Sequence, residues 1–232
     1  MLKKIIRPLL AVIGTLVFAS NPLQAQIFTE IGDAGQTLGT AQGAGLVNGA
    51  PLSMILGTIS SPTDADLFAF NITTPMTFSA TTNGGTTMID TALFLFNSSG
   101  MAIYTNDDAN GGSLQSTLPA GTSFTMSLAP GLYYLGISLS GNEPVNSNGQ
   151  LLFAAFIGGD STSVRGAAAG VNPDTLADFN GLTSFPEMGA YRIDLTGASA
   201  VPEPSTMALG LAGAAAVMVI IRKRRRAGIA SM

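Results

Sequence analysis

Between Gln26 and Ala200 no stretch keeps an apolar period near 3.6 long enough to define a helix, and that absence narrows the possible folds more than any other feature. Short apolar or alternating runs recur instead: Ser53–Ile59, Asp66–Ile72, Met76–Thr82, Thr91–Asn97, Met101–Thr105, Thr122–Leu128, Leu132–Ser140, Leu151–Phe156 and Tyr191–Thr196. Each has strand length and lies between turn-forming residues. In two of them the alternation is clear. Phe124, Met126 and Leu128, then Tyr133, Leu135, Ile137 and Leu139, would line one face, with serines and threonines on the other. Asn97-Ser98-Ser99-Gly100 and Ala129-Pro130-Gly131 supply reversals. The spacing predicts an all-β domain over residues 26–200, an antiparallel β-sandwich. Residues 141–189 break the rhythm with Gly, Ala, Asn and Pro, and read as a long insertion before the final strand. Within it, Pro173 to Phe179 could make one short helix.

Charge is distributed very unevenly. Of ten basic residues only Arg165 and Arg192 lie between Gln26 and Ala200, whereas every acid except Glu203 of the fourteen lies there. The domain therefore carries a net charge of about −11, hidden by a whole-chain value of −4. Such a surface repels nucleic acid and anionic lipid and attracts divalent cations.

Missing residue types exclude most catalysis. The chain has no His and no Cys, which removes Ser-His-Asp triads, thiol nucleophiles and the usual zinc ligands. The domain also has no Lys, so Schiff bases and Walker-type phosphate loops fail as well. Carboxylate pairs remain, but they lie at turns and strand edges with nothing to set their acidities apart. A non-enzymatic protein is expected.

The same acids suit a hard cation. Calcium takes six to eight oxygen ligands, and Asn106, Asp107 and Asp108 offer several within one turn. Asp64, Asp66 and Asp90 join them if the fold brings those loops together. The alternative is that these side chains only shape turns, solvate loops and blunt strand edges.

Both ends of the chain read as labels. Lys3, Lys4 and Arg7 precede an apolar stretch from Pro8 to Phe18, and Leu23-Gln24-Ala25 follows, so residues 1–25 read as a secretory signal peptide cut after Ala25. Secretion translocase and signal peptidase are the expected partners. At the other end, Val201-Pro202-Glu203-Pro204 is an extended peptide that neither helix nor ladder can absorb. An apolar run from Met207 to Ile221 follows, roughly 22 Å long as a helix against roughly 30 Å of hydrocarbon. With Ser205 and Thr206 it predicts a short transmembrane helix over about 205–221. Arg222, Lys223, Arg224, Arg225 and Arg226 then resist translocation and fix that end in the cytoplasm.

The proline-flanked glutamate, short helix and arginine-rich tail, in that order over residues 201–232, resemble the tripartite PEP-CTERM sorting signal of Gram-negative bacteria. The resemblance implies an exosortase as processing partner, a transient inner-membrane precursor, and delivery to the cell surface or an exopolysaccharide and biofilm matrix. A second resemblance covers about Leu56 to Leu139 and the closing strand. Asp64-Ala65-Asp66-Leu67-Phe68-Ala69-Phe70, Asp90-Thr91-Ala92-Leu93-Phe94-Leu95-Phe96, Asn106-Asp107-Asp108 and Ala129-Pro130-Gly131-Leu132-Tyr133-Tyr134 look like the bacterial pre-peptidase C-terminal domain and related surface modules. That likeness implies a jelly-roll-like sandwich and, in part of the group, calcium or matrix-polymer binding. Two functions are thus in view: a structural or adhesive surface protein, and a membrane-anchored, calcium-dependent carbohydrate- or protein-binding module.

Overall fold

The structure, a computed structural model, describes residues 24–201 apart from 86, 156–160, 171–173 and 184–185. Residues 1–23 of the expected signal peptide, residues 202–204 of the expected sorting motif, and the expected transmembrane helix and basic tail lie outside the described residues. No described helix is long and apolar enough to cross a membrane.

The strands are β1 (Gln26–Thr29), β2 (Gln42–Gly43), β3 (Leu52–Ile59), β4 (Ala65–Ile72), β5 (Ser79–Thr81), β6 (Thr91–Asn97), β7 (Ala102–Asn106), β8 (Thr117–Leu118), β9 (Gly131–Leu139), β10 (Pro144–Val145), β11 (Arg165–Gly166), β12 (Asp178–Phe179), β13 (Gly189–Thr196) and β14 (Ala198–Ala200). A single turn of helix, α1 (Ser123–Met126), precedes β9. Among the described residues one sheet runs β1-β3-β13-β5-β8 and the other β11-β7-β6-β9-β4-β14, with β2 also on β4. Pairing is antiparallel except for β1 beside β3 and β2 beside β4, which are parallel. The all-β expectation holds, with those two departures from a purely antiparallel arrangement.

Alternation places the core between the sheets. Leu52, Ile55 and Ile59 of β3 and Tyr191, Ile193 and Leu195 of β13 meet Phe68, Phe70 and Ile72 of β4, Leu93 and Leu95 of β6, and Leu135, Ile137 and Leu139 of β9. This is the sandwich that period-2 patterning predicts.

The larger sheet is also covered on its outer face. Ala65, Leu67, Ala92, Phe94 and Phe96 point away from the first core and pack with Leu152, Phe153, Leu176 and Phe179. Phe94 lies 5.6 Å from Phe153 and 5.7 Å from Phe179, centroid to centroid. Burial on both faces accounts for the continuous apolar run in β6, which alternation alone would not produce. Much of the expected insertion is therefore a second layer of core, held by β10 pairing with β12 and β11 with β7.

Three local expectations are corrected. Thr122–Leu128 is not a strand: the Thr122 hydroxyl accepts from the Thr125 amide at 3.2 Å and caps α1, while the Ser127 hydroxyl donates to the Phe124 carbonyl at 2.8 Å. Phe124 consequently stacks on Tyr104 at 5.4 Å, and Met126 is left exposed. Residues 174–179 hold no helix, because Asp178–Phe179 extends to pair with Pro144–Val145. Leu151 and Phe153 make single bridges to Val145 and Ala167 rather than a strand.

Candidate functional site

The larger sheet gathers acids at one end. Asp64 precedes Ala65, which pairs with Ser138; Asp90 precedes Thr91, which pairs with Leu139; and Asn106, paired with Leu93, ends β7 just before Asp107 and Asp108. Within that end the side chains divide into two groups.

The first group lies where β1 leaves the sheet. One carboxylate oxygen from each of Glu30, Asp33 and Asp66 falls within 4.8 Å of the others. Asp66 is fully buried, and its Oδ2 accepts from the Tyr191 hydroxyl at 2.7 Å. Its Oδ1 is buried with no hydrogen-bond partner. Burial pushes the Asp66 carboxyl up to about 8; the Tyr191 hydrogen bond opposes this, and the charges of Glu30, Asp64 and Asp33 add to it. Glu30 accepts backbone N–H groups from Ala34 and Thr58, both at 2.9 Å, which fixes its position. Asp64 accepts from the Ser60 amide at 2.6 Å and borders, with Asp33, a polar cleft of about 440 Å³.

The second group surrounds Ser140. Its hydroxyl donates to Asp107 Oδ2 at 3.0 Å, and its amide donates to the Asp90 carbonyl at 3.0 Å. Burial raises Asp107 to about 7, opposed by the Ser140 bond and reinforced by Asp90, Asp108 and Glu143. Burial, then Asp108 and Glu187, raises Asp90 to about 6. Asp108 accepts a short hydrogen bond from the Ser161 hydroxyl. Asn106 donates to the Thr162 carbonyl at 3.1 Å and accepts from the Thr117 amide at 2.8 Å, so its amide joins neighbouring segments. Beside this group Arg165 pairs with Glu143 at 3.0 Å.

The six residues named from sequence are thus split: Asp64 and Asp66 go with Glu30 and Asp33, while Asp90, Asn106, Asp107 and Asp108 stay together. Sequence reasoning missed Glu30 and Asp33. Their available signal was two acids three apart, directly after a strand-like Ile-Phe-Thr.

The two ends of the described domain meet on one loop. Exposed Ala25 stands just before β1, and Gln26 donates its amide to the Pro51 carbonyl at 2.7 Å. The Gln26 side chain accepts from the Leu46 and Val47 amides at 2.8 and 3.2 Å and donates to the Val47 carbonyl at 3.0 Å. At the far end the Gly49 amide donates to the Ala200 carbonyl at 3.0 Å, and the Val201 amide to the Ala44 carbonyl at 3.1 Å. Gly45, at φ +123°, allows this: a Cβ there would lie 2.2 Å from the Ala200 Cβ.

The last strand of this acidic β domain, β14, passes directly into the proline-flanked peptide Pro202-Glu203-Pro204. A family model described as the PEP-CTERM protein-sorting motif matches residues 200–226. The match begins at Ala200, the last residue of β14. This motif implies an exported, membrane-processed protein with an exosortase as processing partner. No curated protein matches the chain.

Proposed function

We propose that the chain is a non-enzymatic exported protein, held briefly in the inner membrane by its C-terminal segment, then sorted by exosortase to the cell surface or an exopolysaccharide and biofilm matrix, where its role is structural or adhesive. The observation that carries this reading is the sorting-motif match at residues 200–226, starting at the last residue of β14. Pro202, Glu203 and Pro204 are the recognition peptide, and the residues from Arg222 to Arg226 are the cytoplasmic stop. Intact mass and cell fractionation test it with wild type and Glu203→Ala in cells carrying the enzyme. Wild type should lose the segment beyond about Pro204 and leave the inner membrane while the variant stays. A full-length tail on mature wild type would overturn the reading.

A second reading is favoured by one observation: Asp66 Oδ1 is buried without a partner beside Glu30 and Asp33. Hard cations take carboxylate oxygens, and a cation would hold Asp66 ionised. Glu30, Asp33, Asp66 and the neighbouring Asp64 would then bind calcium and stiffen the end of β1, in keeping with a calcium-dependent binding module. Millimolar calcium should raise the melting temperature of the chelator-treated domain and leave that of Asp66→Asn unchanged. An identical wild-type melting temperature with chelator and with calcium rules the site out.

A further inference from the structure

The turn that clasps both chain ends exposes apolar side chains that its position puts to use. Leu46 and Val47 are 67% and 51% exposed, and Ile27, next to the Gln26 that holds this turn, is 57% exposed. No charged residue occurs from Ala34 to Thr63, so the segment that carries the turn adds no charge of its own to an acidic domain. Flanking this turn, the Gly49 amide bonds the Ala200 carbonyl and the Val201 amide bonds the Ala44 carbonyl, so the chain leaves the domain beside Leu46 and Val47. Residues 202–206 are all that separate Val201 from the apolar run beginning at Met207. Fully extended, such a tether spans at most about 20 Å. A bilayer that holds Met207–Ile221 is then within reach of the turn and cannot be far from it.

From this we infer that Leu46 and Val47, which lead into the turn, together with Ile27, form a bilayer-contacting surface that seats the domain on the membrane while the precursor is anchored. The inference rests on the sorting reading, because the anchor supplies the proximity. Three side chains give too little apolar area for stable binding alone, and one short insertion adds only a weak term to an existing tether. The lack of charge matters as much. An acidic surface would be pushed from an anionic leaflet, and the uncharged segment that carries this turn adds nothing to that repulsion. The seating would hold Pro202-Glu203-Pro204 close to the interface, where a membrane-embedded enzyme works.

The chain contains no cysteine and no tryptophan, so single reporters are unambiguous. Full-length Leu46→Cys and Asn110→Cys would each carry an environment-sensitive fluorophore and be reconstituted into vesicles of phosphatidylethanolamine with phosphatidylglycerol as the minor, anionic lipid. Nitroxide-bearing lipids then report depth. The label at position 46 should be quenched at least about twofold more than the label at 110, as an insertion of several ångströms requires. Equal quenching in protein that floats with the vesicles overturns this inference and leaves the sorting reading intact. Protein that does not float overturns the anchor, and this inference with it. Shielding of position 46 only when the sorting enzyme is co-reconstituted would assign the surface to that enzyme and overturn the lipid as its occupant.

Discussion

Gly57 and Tyr191 are register partners across β3 and β13, and the side chain that Gly57 lacks is the space the Tyr191 hydroxyl fills. A Cβ at Gly57 would stand 2.2 Å from that hydroxyl oxygen and 2.7 Å from Glu30 Oε2. Tyr191 reaches Asp66 on the opposite sheet only because its strand partner is bare. Gly57→Ala should displace the ring and cost at least the roughly 1–3 kcal/mol of an overpacked core, read by urea denaturation.

Tyr191→Phe removes the donor and keeps the ring. It should cost about 1–3 kcal/mol where Asp66 is ionised, the penalty of an unsatisfied buried acceptor. Because the Asp66 carboxyl sits at about 8, the cost should be larger above that pH than near pH 6. A loss independent of pH would contradict the protonation assigned to Asp66.

Free of divalent cations, the domain should lose stability as pH rises. Asp66, Asp107 and Asp90 are raised to about 8, 7 and 6 from a usual 3.8. The folded state therefore holds protons that the unfolded chain has released, and stability present below pH 4 declines stepwise through these values. Melting temperatures across that range should fall monotonically, and Asp66→Asn should remove the last part of the decline, between about 7 and about 8. A profile that rises with pH would refute the assignment.

The outer aromatic layer should behave as core. Phe153→Ala, at 1% exposure beside Phe94 and Phe96, should cost about 3–5 kcal/mol. A cost under about 1 kcal/mol, the range of most surface substitutions, would show residues 141–181 to be a dispensable loop.

Arg165 and Glu143 pair with side chains only 7% and 13% exposed. Arg165→Met should cost about 3–5 kcal/mol by stranding the carboxylate, and Glu143→Met added to it should restore much of that loss. Equal instability of single and double variants would mean that Arg165 stabilises through its other contacts, such as the Ala154 carbonyl at 2.6 Å.

The main strands were legible because their side chains report burial. Asp66–Ile72, Thr91–Asn97 and Leu132–Ser140 lie within one residue of β4, β6 and β9. Phe124, Met126 and Leu128 misled because an alternation of apolar and hydroxyl residues also fits a hydroxyl-capped helical turn, and only the Tyr104 ring decides between them. The layer from 141 to 181 stayed hidden because its contacts come from isolated residues such as Leu152 and Phe179 rather than from a run. Asp64 and Asp66 were visible as site candidates through their local density. Glu30 and Asp33 were not, since nothing local says that β1 lies parallel to β3, with Thr29 beside Leu56.

Any pull on the C-terminal end of the domain is borne by β14. That strand is three residues long and lies between β4 on one side and the Gly49–Pro51 backbone on the other. A pull along its axis from Val201 loads both rows of hydrogen bonds together instead of peeling them one by one. The last strand is thus a shear joint, and it can keep the domain folded under tension applied at Val201.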